Sequence, residues 1–161
     1  MKQNIIFLDI DGVLNCASTK DFTPNKYMGI DDRHMKVLAE IVKEHDASIV
    51  LTSSWKTECR NKDGSWNADG MYMLSRFEDF GLKIEDFTSD MIFDRGTGIQ
   101  KWLDSQPEKK SFIILDDINF KDYKTNHLLR YFIQTSYKAN RGLMPKHIRA
   151  ARRIFEMQKN K

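Results

Sequence analysis

Three short clusters of this sequence carry side chains that could do chemistry together: Asp9-Ile10-Asp11-Gly12-Val13, Thr52-Ser53-Ser54 and Asp116-Asp117. Each follows directly on an apolar run, Ile5-Ile6-Phe7-Leu8, Ile49-Val50-Leu51 and Phe112-Ile113-Ile114-Leu115. A single acid after such a run is unremarkable, but two acid pairs and a hydroxyl cluster are a constellation. Like charges about 4 Å apart repel by roughly 4 kcal/mol even at an effective dielectric near 20. Four carboxylates that converge must therefore spread apart, take up protons or bind a cation. An oxygen-only donor set, with no Cys or His beside it, suits a hard ion such as Mg²⁺, which takes one or two carboxylates, waters and a substrate phosphate. With repulsion neutralised, one carboxylate can attack phosphorus and form an aspartyl-phosphate. The second acid of D-x-D can protonate the leaving oxygen and later activate water.

These side chains meet only if the strands that carry them run parallel and end on one edge. Short apolar runs alternate with helical patterns, which predicts a parallel sheet covered by helices. A strand over 2–8, a helix capped by Asp31 or Asp32 and running to about His45, and a strand over 48–51 form one right-handed crossover. Residues 60–70 are polar and glycine-punctuated, which predicts an exposed loop, and 71–80 a short helix stopped by Gly81. A helix over 96–105, a strand over 111–115 and a last strand over 128–133 follow. Pro145 suits the first turn of a C-terminal helix reaching about residue 158. The expected fold class is α/β, a Rossmann-like three-layer sandwich around a central parallel sheet, forming one domain over 1–161. In such sheets ligands bind at the carboxyl ends of the strands, where the three clusters fall.

The run Phe7-Leu8-Asp9-Ile10-Asp11-Gly12-Val13-Leu14-Asn15 resembles the first motif, D-x-D-x-[T/V], of the haloacid dehalogenase (HAD) superfamily of phosphohydrolases. The resemblance implies that Asp9 is the nucleophile and a metal ligand. It makes Asp11 the general acid/base, lending its backbone carbonyl to the metal. Thr52, with Ser53, matches the hydroxyl motif that binds the phosphoryl group, and Asp116 and Asp117 match the acid pair that completes the Mg²⁺ site. The family also uses a Lys or Arg beside the phosphorylated aspartate. Arg95, 21 residues before Asp116, is preferred for that role, with Lys56, also a candidate phosphate contact, and Lys101 as alternatives. The wider pattern, Leu-Thr-Ser-Ser-Trp-Lys, Arg-Gly-x-Gly-Ile-x-x-Trp-Leu, Leu-Asp-Asp and a late Arg-Gly-Leu, is similar to the small HAD domains of "Swiss Army Knife" RNA repair proteins over roughly residues 4–150.

Composition narrows the remaining classes. With 40% hydrophobic and 30% charged residues the chain matches neither disorder nor a fibrous repeat. No uncharged apolar run approaches the ~18 residues of a membrane span. Two cysteines, Cys16 and Cys59, make neither a disulfide framework nor a zinc set, so a reducing cytoplasm is the expected location. A calcium loop starting at Asp9 would want Gly at position six and Glu at twelve, where Gly12 is fourth and Lys20 twelfth. A receiver domain would end a middle strand on an aspartate, where this chain has Thr52-Ser53-Ser54.

Substrate size follows from what can cover the edge. Between Asn15 and Asp31 there is room for a flap only, and residues 56–94 are expected to hold a loop and a short helix, so the cap is minimal and the site open. Residues 138–161 carry eight of the 26 Lys and Arg and one of the 23 acids, leaving 18 basic against 22 acidic residues elsewhere. A basic C-terminal segment on an acidic body is the footprint of a phosphate-rich polymer, and it is also what a solvated helix face looks like. The expected activity is a Mg²⁺-dependent phosphomonoesterase acting on RNA or DNA ends, 3′-phosphates in particular. A small-molecule nucleotide phosphatase and a non-catalytic nucleic-acid-binding module of the same fold are the alternatives.

Overall fold

β1 (Asn4–Leu8) is apolar at every position from Ile5 to Leu8, which marks a strand covered on both faces. The computed structural model describes residues 1–89 and 93–159. It places β1 at the centre of a five-stranded, all-parallel sheet in the order β3-β2-β1-β4-β5. The other strands are β2 (Ala47–Leu51), β3 (Ile84–Phe87), β4 (Ser111–Asp116) and β5 (Phe132–Gln134). Six α-helices accompany them among the described residues: α1 (Asp32–His45), α2 (Trp55–Glu58), α3 (Ala68–Asp79), α4 (Arg95–Asp104), α5 (Lys121–Thr125) and α6 (Lys146–Lys159).

The period of two along β1 divides the core. Ile6 and Leu8 pack with side chains of α1, α3 and α6, among them Leu38, Ile41, Phe77 and Phe155. Ile5 and Phe7 face α4 and α5, where Phe7 meets Trp102 edge-on at 5.3 Å between ring centroids. The result is the three-layer α/β sandwich. α1 starts where the Asp31 carboxylate accepts a hydrogen bond from the Arg33 backbone N–H at 2.9 Å and stops at Asp46, whose φ of 45° is left-handed.

Register explains the alignment of the motifs. Leu8 pairs with both Leu51 and Leu115, so Asp9, Thr52 and Asp116 stand abreast on one edge. The Thr52 N–H donates to the Leu8 carbonyl and the Asp9 N–H to the Leu115 carbonyl, each at 2.9 Å. The chain winds from β1 outward through β2 to β3, then crosses to β4 and β5. The crevice between β1 and β4 is thus the topological switch point.

Several elements differ from the sequence expectation. β3 is Ile-Glu-Asp-Phe, an edge strand with only Ile84 buried, and it carries no apolar run to announce it. α2 and α5 are a single turn or so each, too short to leave a 3.6-residue period. The loop expected over 60–70 ends sooner, because Asn67 caps α3 by accepting from the Gly70 N–H at 3.0 Å, and Asp69 and Gly70 are buried. A Cβ at Gly70 would lie 2.6 Å from the Cys59 carbonyl oxygen, so that close approach needs glycine. The last strand is displaced: residues 129–131 form a 3₁₀ turn and pairing begins at Phe132. Residues 56–94 hold more than a loop and one helix, since they supply α2, α3 and the edge strand β3. No helix among the described residues is long and apolar enough to cross a membrane.

Candidate active site

At the switch point the carboxylates of Asp9, Asp116 and Asp117 each bring an oxygen within 4.8 Å of the others. Asp9 and Asp116 are buried and Asp117 is half-buried. Burial first, and then the charge of Asp116, push the Asp9 carboxyl up to about 7, although Arg95 pulls it down. The same two causes, in the same order, push Asp117 up to about 6.

Arg95 is the cation this cluster already owns. It opens α4 with its side chain buried, and its Nη1 lies 2.7 Å from Asp116 Oδ2 and 3.2 Å from Asp9 Oδ2. Burial disfavours its charge, but Asp9 and Asp116 outweigh that and hold the guanidinium charged. Its face lies 4.7 Å from the Phe120 ring centroid. Asp116 is further fixed by the Tyr123 hydroxyl, which donates to Oδ2 at 2.8 Å, and by the Ile118 N–H, which donates to Oδ1 at 2.9 Å. Burial and the Asp116 charge raise Tyr123 far above the usual phenol range, so it stays a donor.

Asp11 stands outside the three-carboxylate cluster. Its Oδ1 accepts from Asn15 Nδ2 at 2.9 Å and its Oδ2 from Trp55 Nε1 at 3.0 Å. The turn that aims it depends on Gly12, whose φ is +77° and where a Cβ would lie 2.3 Å from Asp117 Cγ. Asn15 Oδ1 receives the Gly12 N–H at 2.9 Å, and the Thr135 hydroxyl donates to the Gly12 carbonyl at 2.7 Å. The loop after β1 is therefore held from within and from the strand β5 side.

Asp9, Asp11, Arg95 and Asp117 line one pocket of about 620 Å³, with Ser54, Glu58, Phe93 and Lys121 also on its wall. Thr52 follows β2 beside Asp9, fully buried, and its hydroxyl has no hydrogen-bond partner among the described residues. The Ser53 hydroxyl accepts from the Trp55 N–H at 3.3 Å, and the serine lining the pocket is Ser54. Lys56 is buried, its ammonium donating to the Thr52 carbonyl at 2.9 Å. Lys101 is exposed on α4, away from the carboxylates that Arg95 touches.

Asn15, Trp55 and Tyr123 are the site side chains that sequence reasoning does not assign. Trp55 reads as a core residue; it is buried, yet its one polar atom is spent on Asp11. Tyr123 lies seven residues past Asp116 on α5, and nothing in its neighbours marks it. Asn15 closes the first motif, and its position four residues after Asp11 is the signal that could have found it.

The donor set fits a hard divalent cation. Three carboxylates converge from β1 and β4, all ligand atoms are oxygen, and burial with mutual repulsion raises Asp9 and Asp117, a penalty that a bound cation would relieve. A parallel α/β sandwich with acids at its switch point is the architecture of HAD domains. A family model described as "HAD domain in Swiss Army Knife RNA repair proteins" matches residues 5–148, and the chain belongs to that family. Searches of curated proteins and of solved structures returned no match.

Proposed function

We propose that this chain is a Mg²⁺-dependent phosphomonoesterase that removes phosphate from nucleic acid ends, 3′-phosphates in particular. The carrying observation is the Asp9–Asp116–Asp117 cluster with Arg95 bridging two of its members. Asp9, Asp116 and Asp117 would hold the cation, with the Asp11 backbone carbonyl. Bound Mg²⁺ would supply the charge that ionises Asp9 and offsets the phosphoryl oxygens.

Asp9 then acts as nucleophile: a carboxylate oxygen forms a bond to phosphorus as the bond to the leaving oxygen breaks. Asp11, held apart from the cluster by Asn15 and Trp55, gives its proton to that oxygen and afterwards takes one from the water that cleaves the aspartyl-phosphate. Thr52, with an unpartnered buried hydroxyl at the end of β2, and Ser54 on the pocket wall would bind the phosphoryl group, with Lys56 behind them on the Thr52 carbonyl. Arg95 stabilises charge on the phosphorylated aspartate from the opposite side.

The family's link to RNA repair supports a polynucleotide substrate. So does the position of the basic segment. The Ala17 N–H donates to the Tyr137 carbonyl and the Asn140 N–H to Ser18 Oγ, which ties residues 135–143, with exposed Lys138 and Arg141, to the loop after β1. The test is a panel of 3′- and 5′-phosphorylated DNA and RNA ends, free nucleotides, phosphopeptides and an aryl phosphate, each with Mg²⁺ and with chelator. Chelator-sensitive turnover, fastest on polynucleotide 3′-phosphates, is expected. Equal turnover of free nucleotides at all salt concentrations would favour a small-molecule phosphatase. Tight salt-dependent binding with no hydrolysis would make the chain a binding module.

A further inference from the structure

A second pocket of about 540 Å³ adjoins the first, sharing Asp11 and Glu58 with it. Its remaining wall is Thr23, Tyr27, Met28, Trp55, Cys59 and Asp69. Three acids and no Lys, Arg or His line it, and the buried Cys59 thiol registers that field: burial first, then Asp69, Glu58 and Asp11, push it up to about 11. A phosphate is repelled here, whereas a neutral group with N–H donors is favoured.

The wall formed by residues 21–29 is a closed hairpin. Phe22 and Met28 form an antiparallel bridge, the Thr23 and Tyr27 N–H groups bond across the turn, and the Gly29 N–H donates to the Asp21 carbonyl. The Asn25 N–H donates to Asp69 Oδ1 at 3.0 Å and the Ile30 N–H to the Tyr72 hydroxyl at 2.9 Å, which anchors the hairpin on α3. On this fixed turn Tyr27 is 69% exposed. Among the described residues eight large apolar side chains are exposed. Five of them, Phe22, Tyr27, Phe93, Ile118 and Tyr137, belong to the two pocket walls or to segments bonded to the hairpin. Exposed aromatics beside a phosphate site, Tyr27 among them on a hydrogen-bonded turn, are what a base stacks on.

We propose that the second pocket holds the nucleobase of the terminal nucleotide whose phosphate lies at Asp9, stacked on Tyr27, with Glu58 and Asp69 accepting from its N–H groups. The assignment rests on the phosphohydrolase reading of the Asp9 site. Paired carboxylate acceptors favour guanine, whose N1–H and N2 amino group are adjacent donors, over uracil, which offers N3–H alone between two carbonyls. The pocket then divides the substrate by charge, phosphate to the Arg95 side and base to the acidic side.

The test uses the Asp9→Asn chain in Mg²⁺ and a short single-stranded oligonucleotide with 2-aminopurine at its 3′-phosphorylated end. Stacking should quench the fluorophore on binding, and free 2-aminopurine nucleoside 3′-phosphate, run in parallel, shows whether the base alone or the strand carries affinity. Tyr27→Ala in the same background should weaken oligonucleotide binding about tenfold or more, and Tyr27→Phe should restore it. An oligonucleotide ending in an abasic phosphate should bind more weakly, and its loss should not add to that of Tyr27→Ala. Equal affinity for base-bearing and abasic ends, or additive losses, would overturn the proposal. Quenching that depends on Tyr27 without turnover by the unaltered chain would keep the base pocket and sink the phosphohydrolase reading. Turnover blind to the terminal base would do the reverse.

Discussion

Arg95 and Arg149 begin from the same side chain and end in opposite circumstances. Arg95 is 6% exposed and wedged between Asp9 and Asp116, while Arg149 and Arg153 stand exposed on α6 and line a shallow groove with Lys146. Arg152, between them in sequence, is tied to Glu44 at 3.0 Å. Charge at the switch point must be partnered, because a buried ion left alone costs several kcal/mol. Charge on α6 is solvated and costs little, so it can be present for solubility, for a polymer, or for both.

That contrast can be broken first at Arg95. In chelator at neutral pH, Arg95→Met should destabilise the protein by about 3 kcal/mol or more, because two buried carboxylates are left without their cation. Mg²⁺ should return part of it, and at pH 5, where Asp9 carries a proton, the loss should shrink. Denaturant unfolding checks this. A change under ~0.5 kcal/mol, typical of a surface site, would place Arg95 with Arg149. Next in size, Asp11→Asn should cut kcat by roughly 10² or more, as loss of a general acid/base does, with stability little changed.

The acid cluster sharpens the comparison through pH. The Asp9 carboxyl is raised from 3.8 to about 7 and Asp117 to about 6, so between about pH 4 and 7 the metal-free native state holds protons that the unfolded chain releases. Stability in chelator should therefore fall as pH rises through that window, and Mg²⁺ should recover it above pH 7 by binding the folded state. A melting temperature in chelator that rises from pH 5 to 7, or indifference to millimolar Mg²⁺ at neutral pH, would argue against a convergent cluster. The smallest effect on stability belongs to α6. Arg149→Glu with Arg153→Glu should shift unfolding by less than ~0.5 kcal/mol while lowering the salt slope of single-strand binding by about 0.7 for each phosphate that is no longer neutralised. An unchanged slope would leave these arginines as solvated surface.

The same contrast explains what could be read from the sequence. Asp9, Thr52 and Asp116 were legible because an apolar run must precede a residue that sits just past a central strand, and Leu8 pairing with Leu51 and Leu115 carries that regularity into space. Asp31 as a cap and the span of α1 were legible for similar local reasons. β3 was not, since an edge strand with two acids has no buried stripe to betray it. Tyr123 and Trp55 were not, because their bonds to Asp116 and Asp11 are made by tertiary approach, and a Tyr or Trp inside a core is indistinguishable in sequence from one with a charged partner. The Tyr27 hairpin was read only as a gap too short for a cap, although Pro24 and Asn25 at the centre of its turn, closed by the Lys26 N–H on the Thr23 carbonyl, are a local turn signal.

Covalent chemistry at Asp9 is the centre of the account, and a phosphoryl group on that side chain is its direct trace. Acid-quenching the chain during steady turnover of a phosphorylated oligonucleotide in Mg²⁺, followed by peptide mass analysis, should show one phosphoryl increment on the peptide bearing Asp9. It should be removable by hydroxylamine, and missing both in chelator and in Asp9→Asn, whose turnover should fall by about 10⁴ or more, as when other nucleophiles are removed. Turnover that persists in Asp9→Asn, or a phosphoryl group that maps to another residue, would contradict it.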